Sequence, residues 1–138
     1  MPADLKQFSL KTKVDQIIDI TKFVQKTADE TIIKDGTVTI FLPGSTGGIT
    51  TLEYEPGLVE NDVPSLLQEL IPEGPNYAHH QTWHDHNGHS HLRSFFIKPS
   101  LTVPVKKGKL LLGTWQQIVF CEFDEKPRNR TIYCQFVG

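Results

Sequence analysis

The sequence predicts one α+β domain made mainly of antiparallel sheet with about two helices. Three observations carry that expectation. The second half of the chain is a succession of short β-patterned segments separated by turn residues. Only two stretches have helical spacing, too few to supply the crossovers that parallel strands need. Ten glycines and nine prolines in 138 residues require many turns between short elements. A chain of this length buries roughly two-thirds of its unfolded surface, enough for a core without staples.

The elements follow in order. Leu5 to Thr12 alternates loosely and predicts a first strand. Gln16 to Ile20 is a short apolar run, expected as a second strand paired back onto the first. Thr21 fits an N-cap, with a helix over Lys22 to Glu30 and Phe23, Val24 and Thr27 facing inward. Asp35-Gly36 marks a turn. Thr37 to Leu42 is a clear strand, Pro43 to Gly48 a loop of small residues, and Ile49 to Tyr54 the next strand. A second helix is expected over Val63 to Ile71, with Asn61 or Asp62 at its start, Pro64 in its first turn and Pro72 past its end. Leu66, Leu67, Leu70 and Ile71 form an apolar stripe expected in the core. His89 to Ile97, Ser100 to Val105, Lys109 to Leu112, Gln117 to Phe123 and Thr131 to Val137 all look extended, with Lys107-Gly108 and Lys126-Pro127 at hairpin turns.

Composition excludes several function classes. Net charge is −2, and the densest basic segment is the turn Lys106-Lys107-Gly108-Lys109, so no nucleic-acid partner is expected. No apolar run approaches the roughly 20 residues of a membrane span, and Met1 to Leu10 has no secretory h-region. A cytoplasmic protein is expected, with no membrane partner. Cys121 and Cys134 cannot form a four-thiolate zinc site. They fall on neighbouring strands of one expected hairpin, with two buried thiols favoured over a disulfide.

All six histidines lie between His79 and His91. Imidazoles clustered in this way suggest metal binding, proton transfer, or both. A solvated loop with adventitious metal affinity is the plainer alternative. If His89-Ser90-His91 is a strand, His89 and His91 share one face and can chelate one ion. His79 could return beside them and complete a three-imidazole site with an open position. His80 would face away, and His84 and His86 would decorate the loop. Asp85 could be a ligand, a general base, or the acceptor that orients an imidazole.

Gly44-Ser45-Thr46-Gly47-Gly48 follows a strand and could present backbone N–H groups and the Ser45 and Thr46 hydroxyls to a phosphate. It lacks the lysine of a P-loop, and a tight connection is the simpler reading. No nucleophile elbow surrounds any serine. Ser100 follows Pro99 and is a ligand hydroxyl or a turn residue, while Trp115 is expected in the core or as the wall of a planar-ligand site.

Four segments together resemble the YjbQ-like family: Asp85 to Leu92, Lys98 to Val105, Gly108 to Gln116, and Pro127 to Arg130. The resemblance runs from the first strand to Gln135. It implies a compact α+β domain with antiparallel sheets, a homotrimer, and a weak thiamine-phosphate synthase activity. That reaction joins a pyrimidine pyrophosphate to a thiazole phosphate with loss of pyrophosphate. It further implies a divalent metal, Zn or Mg, on His79, His89 and His91. Asp85 and Asn87 match the family's acidic and amide positions, Ser100 and Gln116 its polar positions, and Glu53 an acidic position. The chain departs from the family where a histidine commonly precedes two hydroxyl residues, since Gly44-Ser45-Thr46 stands there. The expected catalytic residues are therefore Asp85, His91 and Glu53, with Ser45, Thr46, Asn87, Ser100 and Gln116 contacting a small phosphorylated substrate. Two alternatives stand beside a synthase: a metal-dependent hydrolase, and a non-catalytic trimer that binds a metal or small ligand.

Overall fold

The computed structural model describes residues 1–138. Eight strands and four α-helices follow one another: β1 (Ala3–Lys11), β2 (Ile17–Asp19), α1 (Thr21–Glu30), β3 (Gly36–Phe41), β4 (Gly47–Leu52), α2 (Val63–Leu70), α3 (Ala78–Trp83), α4 (Gly88–Ile97), β5 (Ser100–Lys106), β6 (Lys109–Leu110), β7 (Gln117–Glu122) and β8 (Asn129–Val137). A π-helical turn, Leu58–Asp62, leads into α2. The strands form two sheets, ordered β1-β8-β3-β5-β6 and β2-β7-β4, and every pairing is antiparallel. The expected α+β antiparallel architecture is present, with four helices instead of two.

The main core lies between the sheets and under α1. It joins Ile20, Val24 and Ala28 to Val38, Ile40, Ile118, Phe120, Ile132 and Phe136, all at 0% exposure. Burial of each large member contributes roughly 1.5–3 kcal/mol. The larger sheet buries one face only. Along β8, Arg130, Ile132, Cys134 and Phe136 point inward and alternate with half-buried Thr131, Tyr133 and Gln135. The smaller sheet is covered on both faces. Ile118 and Phe120 of β7 enter the main core, while Val119 and Cys121 join Ile17, Leu67 and Phe123 under α2. That double cover explains why β7 is a nearly unbroken apolar run.

Several expectations need correction. His89 to Ile97 is helix α4, not a strand, and α3 was not foreseen. β2 pairs with β7 in the smaller sheet and not with β1. β7 and β8 lie in different sheets, so Lys126-Pro127 sits in a crossover between them, and Cys121 and Cys134 do not face each other. Both cysteines are free and buried, as expected of thiols. Of the apolar stripe on α2, only Leu67 is buried; Leu66 and Leu70 are 53% and 55% exposed. Phe23 is exposed as well and stacks on Phe8 with ring centroids 5.2 Å apart. Thr21 begins α1 without capping it: its N–H and hydroxyl both donate to Asp19 Oδ1, at 3.0 and 2.7 Å. Lys107 and Gly108 do form the β5–β6 turn, both with positive φ (49° and 77°), as a type I′ hairpin demands.

Candidate functional site

The site is assembled where α3 meets α4. Helix α3 ends at His84, whose left-handed backbone (φ 54°) reverses the chain. The loop through Asp85, His86 and Asn87 then enters α4 at Gly88. Gly88 is required there, because a Cβ would stand 2.7 Å from Tyr77 Cβ. Its N–H donates to His80 Nε2 at 2.9 Å, so His80 locks the two helices together. The Tyr77 hydroxyl donates to the Pro72 carbonyl and ties α3 back toward α2.

On this frame three expected residues converge. His79 Nδ1 lies 3.0 Å from Asp85 Oδ1, a close polar contact off the line of a hydrogen bond. The His79 and His91 rings pack with centroids 4.6 Å apart. Asn87 joins them: with its amide nitrogen turned to Asp85, it donates to both carboxylate oxygens at 3.1 Å. The opposite amide orientation would aim oxygen at a carboxylate. His79, Asp85 and His91 are each half-buried, open enough for a ligand to reach.

His89 does not converge with them. Residues two apart on a helix lie about 200° around its axis, so α4 separates the two imidazoles that a strand would have aligned. His89 is 2% exposed, its Nδ1 has no partner, and its Nε2 is 3.5 Å from Ser90 Oγ. Burial, reinforced by the positive charge of Arg93, holds its imidazole below the ordinary histidine range. The expected ligand set of His79, His89 and His91 is therefore not formed within one chain. No group of three His, Cys, Asp or Glu side chains is placed to hold a metal ion.

The remaining expected residues lie elsewhere. Ser45 is exposed on the β3–β4 connection. Thr46 is 6% exposed and engaged inside the fold: its hydroxyl donates to Asp124 at 3.2 Å and accepts from Arg130 at 2.9 Å. Gly47 and Gly48 belong to β4, where a Cβ would press on Leu42 and Phe120 at 2.8 Å or on Ile97 at 2.7 Å. Those glycines let β4 approach the core and α4, and Ser94 of α4 donates to the Gly47 carbonyl at 2.6 Å. Glu53 lines a surface cavity of about 340 Å³ with Asp19, Tyr54 and Trp115, and no histidine borders it. Trp115 is 73% exposed, so it is a wall residue and not core. Gln116 Nε2 donates to Thr51 Oγ1 at 3.3 Å, on the strand preceding Glu53. Ser100 is exposed at the start of β5.

Neither cysteine is a nucleophile. Burial pushes the Cys121 thiol up to about 12 and the Cys134 thiol to about 11, so no useful thiolate forms near neutrality. Sequence reasoning missed His80, whose role depends on α3 being helical, and Arg93, a buried cation inside a segment read as a strand. The i, i+2 spacing of Arg93 from His91 gave no signal for either.

The comparisons agree on a single kinship. The family model described as UPF0047 protein YjbQ-like matches residues 6–138. A UPF0047 protein of Methanocaldococcus jannaschii is 37% identical over 135 residues, covering 97% of this chain and 94% of that protein. The UPF0047 protein YugU of Bacillus subtilis is 38% identical over 135 residues, covering 97% and 99%. A crystal structure of a hypothetical protein from Aeropyrum pernix superposes with a TM-score of 0.89 at 32% identity, covering 98% of each chain. A protein of unknown function from Sulfolobus solfataricus gives 0.87 at 29% identity, covering 99% of each.

Proposed function

The chain belongs to the YjbQ-like UPF0047 family, and on that premise we propose that it is a small-molecule enzyme working at the α3–α4 junction. The observation that supports this reading is His79, held between a carboxylate 3.0 Å away and a second imidazole ring 4.6 Å away. An imidazole beside a carboxylate can act as a general acid–base unit, because the carboxylate balances the charge when the ring takes a proton. Asp85 is that charge-balancing group, itself fixed by Asn87. His91 carries the second imidazole of the pair and faces the substrate.

The finer assignment is a thiamine-phosphate synthase activity on phosphorylated substrates, which rests on the likeness of the Asp85–Gln116 motif. A divalent metal, Zn or Mg, would supply charge neutralisation for the leaving pyrophosphate. One chain offers His79, His91 and Asp85 but no finished set of three donors. A metal in this proposal therefore needs a donor from a neighbouring copy in the homotrimer. Assembly is supported by the exposed apolar side chains of α4 beside His91: Leu92 at 43%, Phe95 at 79% and Phe96 at 57%. No helix of the chain is long and apolar enough to cross a membrane.

The test incubates the full chain with the pyrimidine pyrophosphate, the thiazole phosphate and Mg²⁺, and measures thiamine phosphate. His91→Ala should abolish turnover and lower bound metal, with the circular-dichroism spectrum unchanged. Asp85→Asn should reduce turnover more than metal content. Wild-type levels of product and metal in His91→Ala would defeat the proposal. Product formed from a single phosphate ester and water would move it to a hydrolase.

A further inference from the structure

A cavity of about 260 Å³ lies between the β1–β2 turn, α2, α4 and the end of β7. No histidine lines it. Its apolar wall is Ile17, Leu67 and Phe123, and its charged groups include Arg93, Asp15 and Glu73. Arg93 is 7% exposed. Its Nε donates to the Ile71 carbonyl at 3.0 Å and its Nη2 to Gln68 Oε1 at 3.3 Å. Its Nη1 has no partner in the protein, and the guanidinium touches no carboxylate: the ion pairs of lysine and arginine are Lys6–Asp4, Arg128–Asp124 and Arg130–Glu122. A guanidinium stays charged, and buried cations are normally paired.

Asp15 and Glu73 are unpaired as well. Asp15 is exposed at the cavity rim in the left-handed region (φ 55°), and partial desolvation raises its carboxyl above the usual range against the opposing pull of Arg93. Glu122 also borders the cavity, but Arg130 at 2.6 Å neutralises it. One buried cation and two exposed carboxylates thus line a small cavity with no ion pair among them, and the cation is the one shielded from solvent.

We propose that this cavity binds a free α-amino acid with an apolar side chain, its carboxylate on Arg93 and its ammonium on Asp15 and Glu73. The side chain lies against Leu67, Ile17 and Phe123. A zwitterion suits this lining, because it brings an anion to the buried guanidinium fork and a cation to the carboxylates at the rim. A simple anion satisfies Arg93 but faces two carboxylates. A simple amine leaves Arg93 unpaired. The volume falls just below the roughly 300–1,000 Å³ of drug-sized sites, which suits a ligand of amino-acid size.

The experiment is isothermal titration of the full chain at neutral pH with L-leucine, and with 4-methylpentanoate and 3-methylbutylamine, which are leucine without its ammonium and without its carboxylate. Leucine should bind saturably, and each analogue at least about tenfold more weakly, the loss expected for one charged hydrogen-bonding group. Asp15→Asn should weaken leucine binding by about tenfold while keeping the fold, because asparagine tolerates the left-handed backbone. Arg93→Gln should do the same; if it fails to fold, Asp15→Asn decides. Equal binding of 4-methylpentanoate would make this an anion site and overturn the proposal. So would the absence of binding by both L-leucine and L-phenylalanine at millimolar concentration. Neither outcome bears on the histidine site, which His91→Ala tests separately.

Discussion

Replacing Arg130 by methionine should be among the most destabilising single changes in this chain. Arg130 lies on β8 of the larger sheet and Glu122 on β7 of the smaller, so their ion pair joins the two sheets. The pair is bidentate: Nε donates to Oε1 at 2.8 Å and Nη2 to Oε2 at 2.6 Å. The side chains are 5% and 0% exposed. In Arg130→Met the Glu122 carboxylate would keep only the Thr12 hydroxyl, at 2.7 Å, and the Asp124 N–H, at 3.1 Å. Two neutral donors do not balance a buried charge. Breaking a buried pair in this way costs about 3–5 kcal/mol. For a domain of this size that is a fall in Tm on the order of 10–20 °C. Methionine preserves most of the volume and the contact with the Phe120 ring, over which the guanidinium carbon sits 5.8 Å from the centroid. The cost is therefore electrostatic more than steric. Denaturant unfolding at fixed protein concentration reads the loss, and adding Glu122→Gln to Arg130→Met should recover a large part of it by removing the uncompensated charge. A loss under about 1 kcal/mol would refute the argument, since that is the value of a solvated surface pair.

Two other predictions follow from packing and burial. His89 has its pKa depressed by burial and by Arg93. Its neutral form thus contributes stability that is present above the unfolded value near 6.5 and is lost as pH falls through the folded value. His89→Gln should flatten the acid limb of stability against pH below about 6.5, and parallel curves for the two proteins from pH 7.5 to pH 4.5 would show that His89 is not the titrating group. In Gly48→Ala the new Cβ meets Ile97 Cγ2 at 2.7 Å and the Lys98 carbonyl at 3.2 Å. Overpacking of that kind costs about 1–3 kcal/mol, and an unchanged Tm would mean that α4 can withdraw from β4 freely.

The two regions of the fold differ in legibility for one physical reason. β3, β5, β7 and β8 were readable because their apolar residues do the burying. The alternation along β8 marks a sheet with one dry face, and the unbroken run of β7 marks a strand covered on both. Pairing partners were less readable, because β2 and the β7–β8 crossover are set by which sheet each strand joins, and nothing local encodes that. The site failed at α4. Its buried positions are Gly88, His89, Ser90, Arg93 and Ser94. That is the i, i+1, i+4, i+5 spacing of a helix face, but it is written in polar residues, so hydrophobic periodicity did not detect it. Leu92, Phe95 and Phe96 of the same helix point the other way, to solvent, and only Ile97 at its end packs against the smaller core.

An inverted helix of this kind is a poor solution for stability alone. Burying a histidine and an arginine without counter-charges costs free energy that leucine in their places would not. Exposing two phenylalanines forgoes the burial that their area could supply. Breaches of local rules concentrate where a fold is held to a function. α4 is the element that the histidine site and the Arg93 cavity share, with His91 on one side and Arg93 two residues on. On the two readings proposed above, α4 would present Arg93 inward to one ligand and His91 to another, and its outward Leu92, Phe95 and Phe96 would meet other copies of the chain. On that proposal, replacing Phe95 and Phe96 by serine should lower the particle mass read by light scattering while the circular-dichroism spectrum stays the same, and an unchanged mass would refute it.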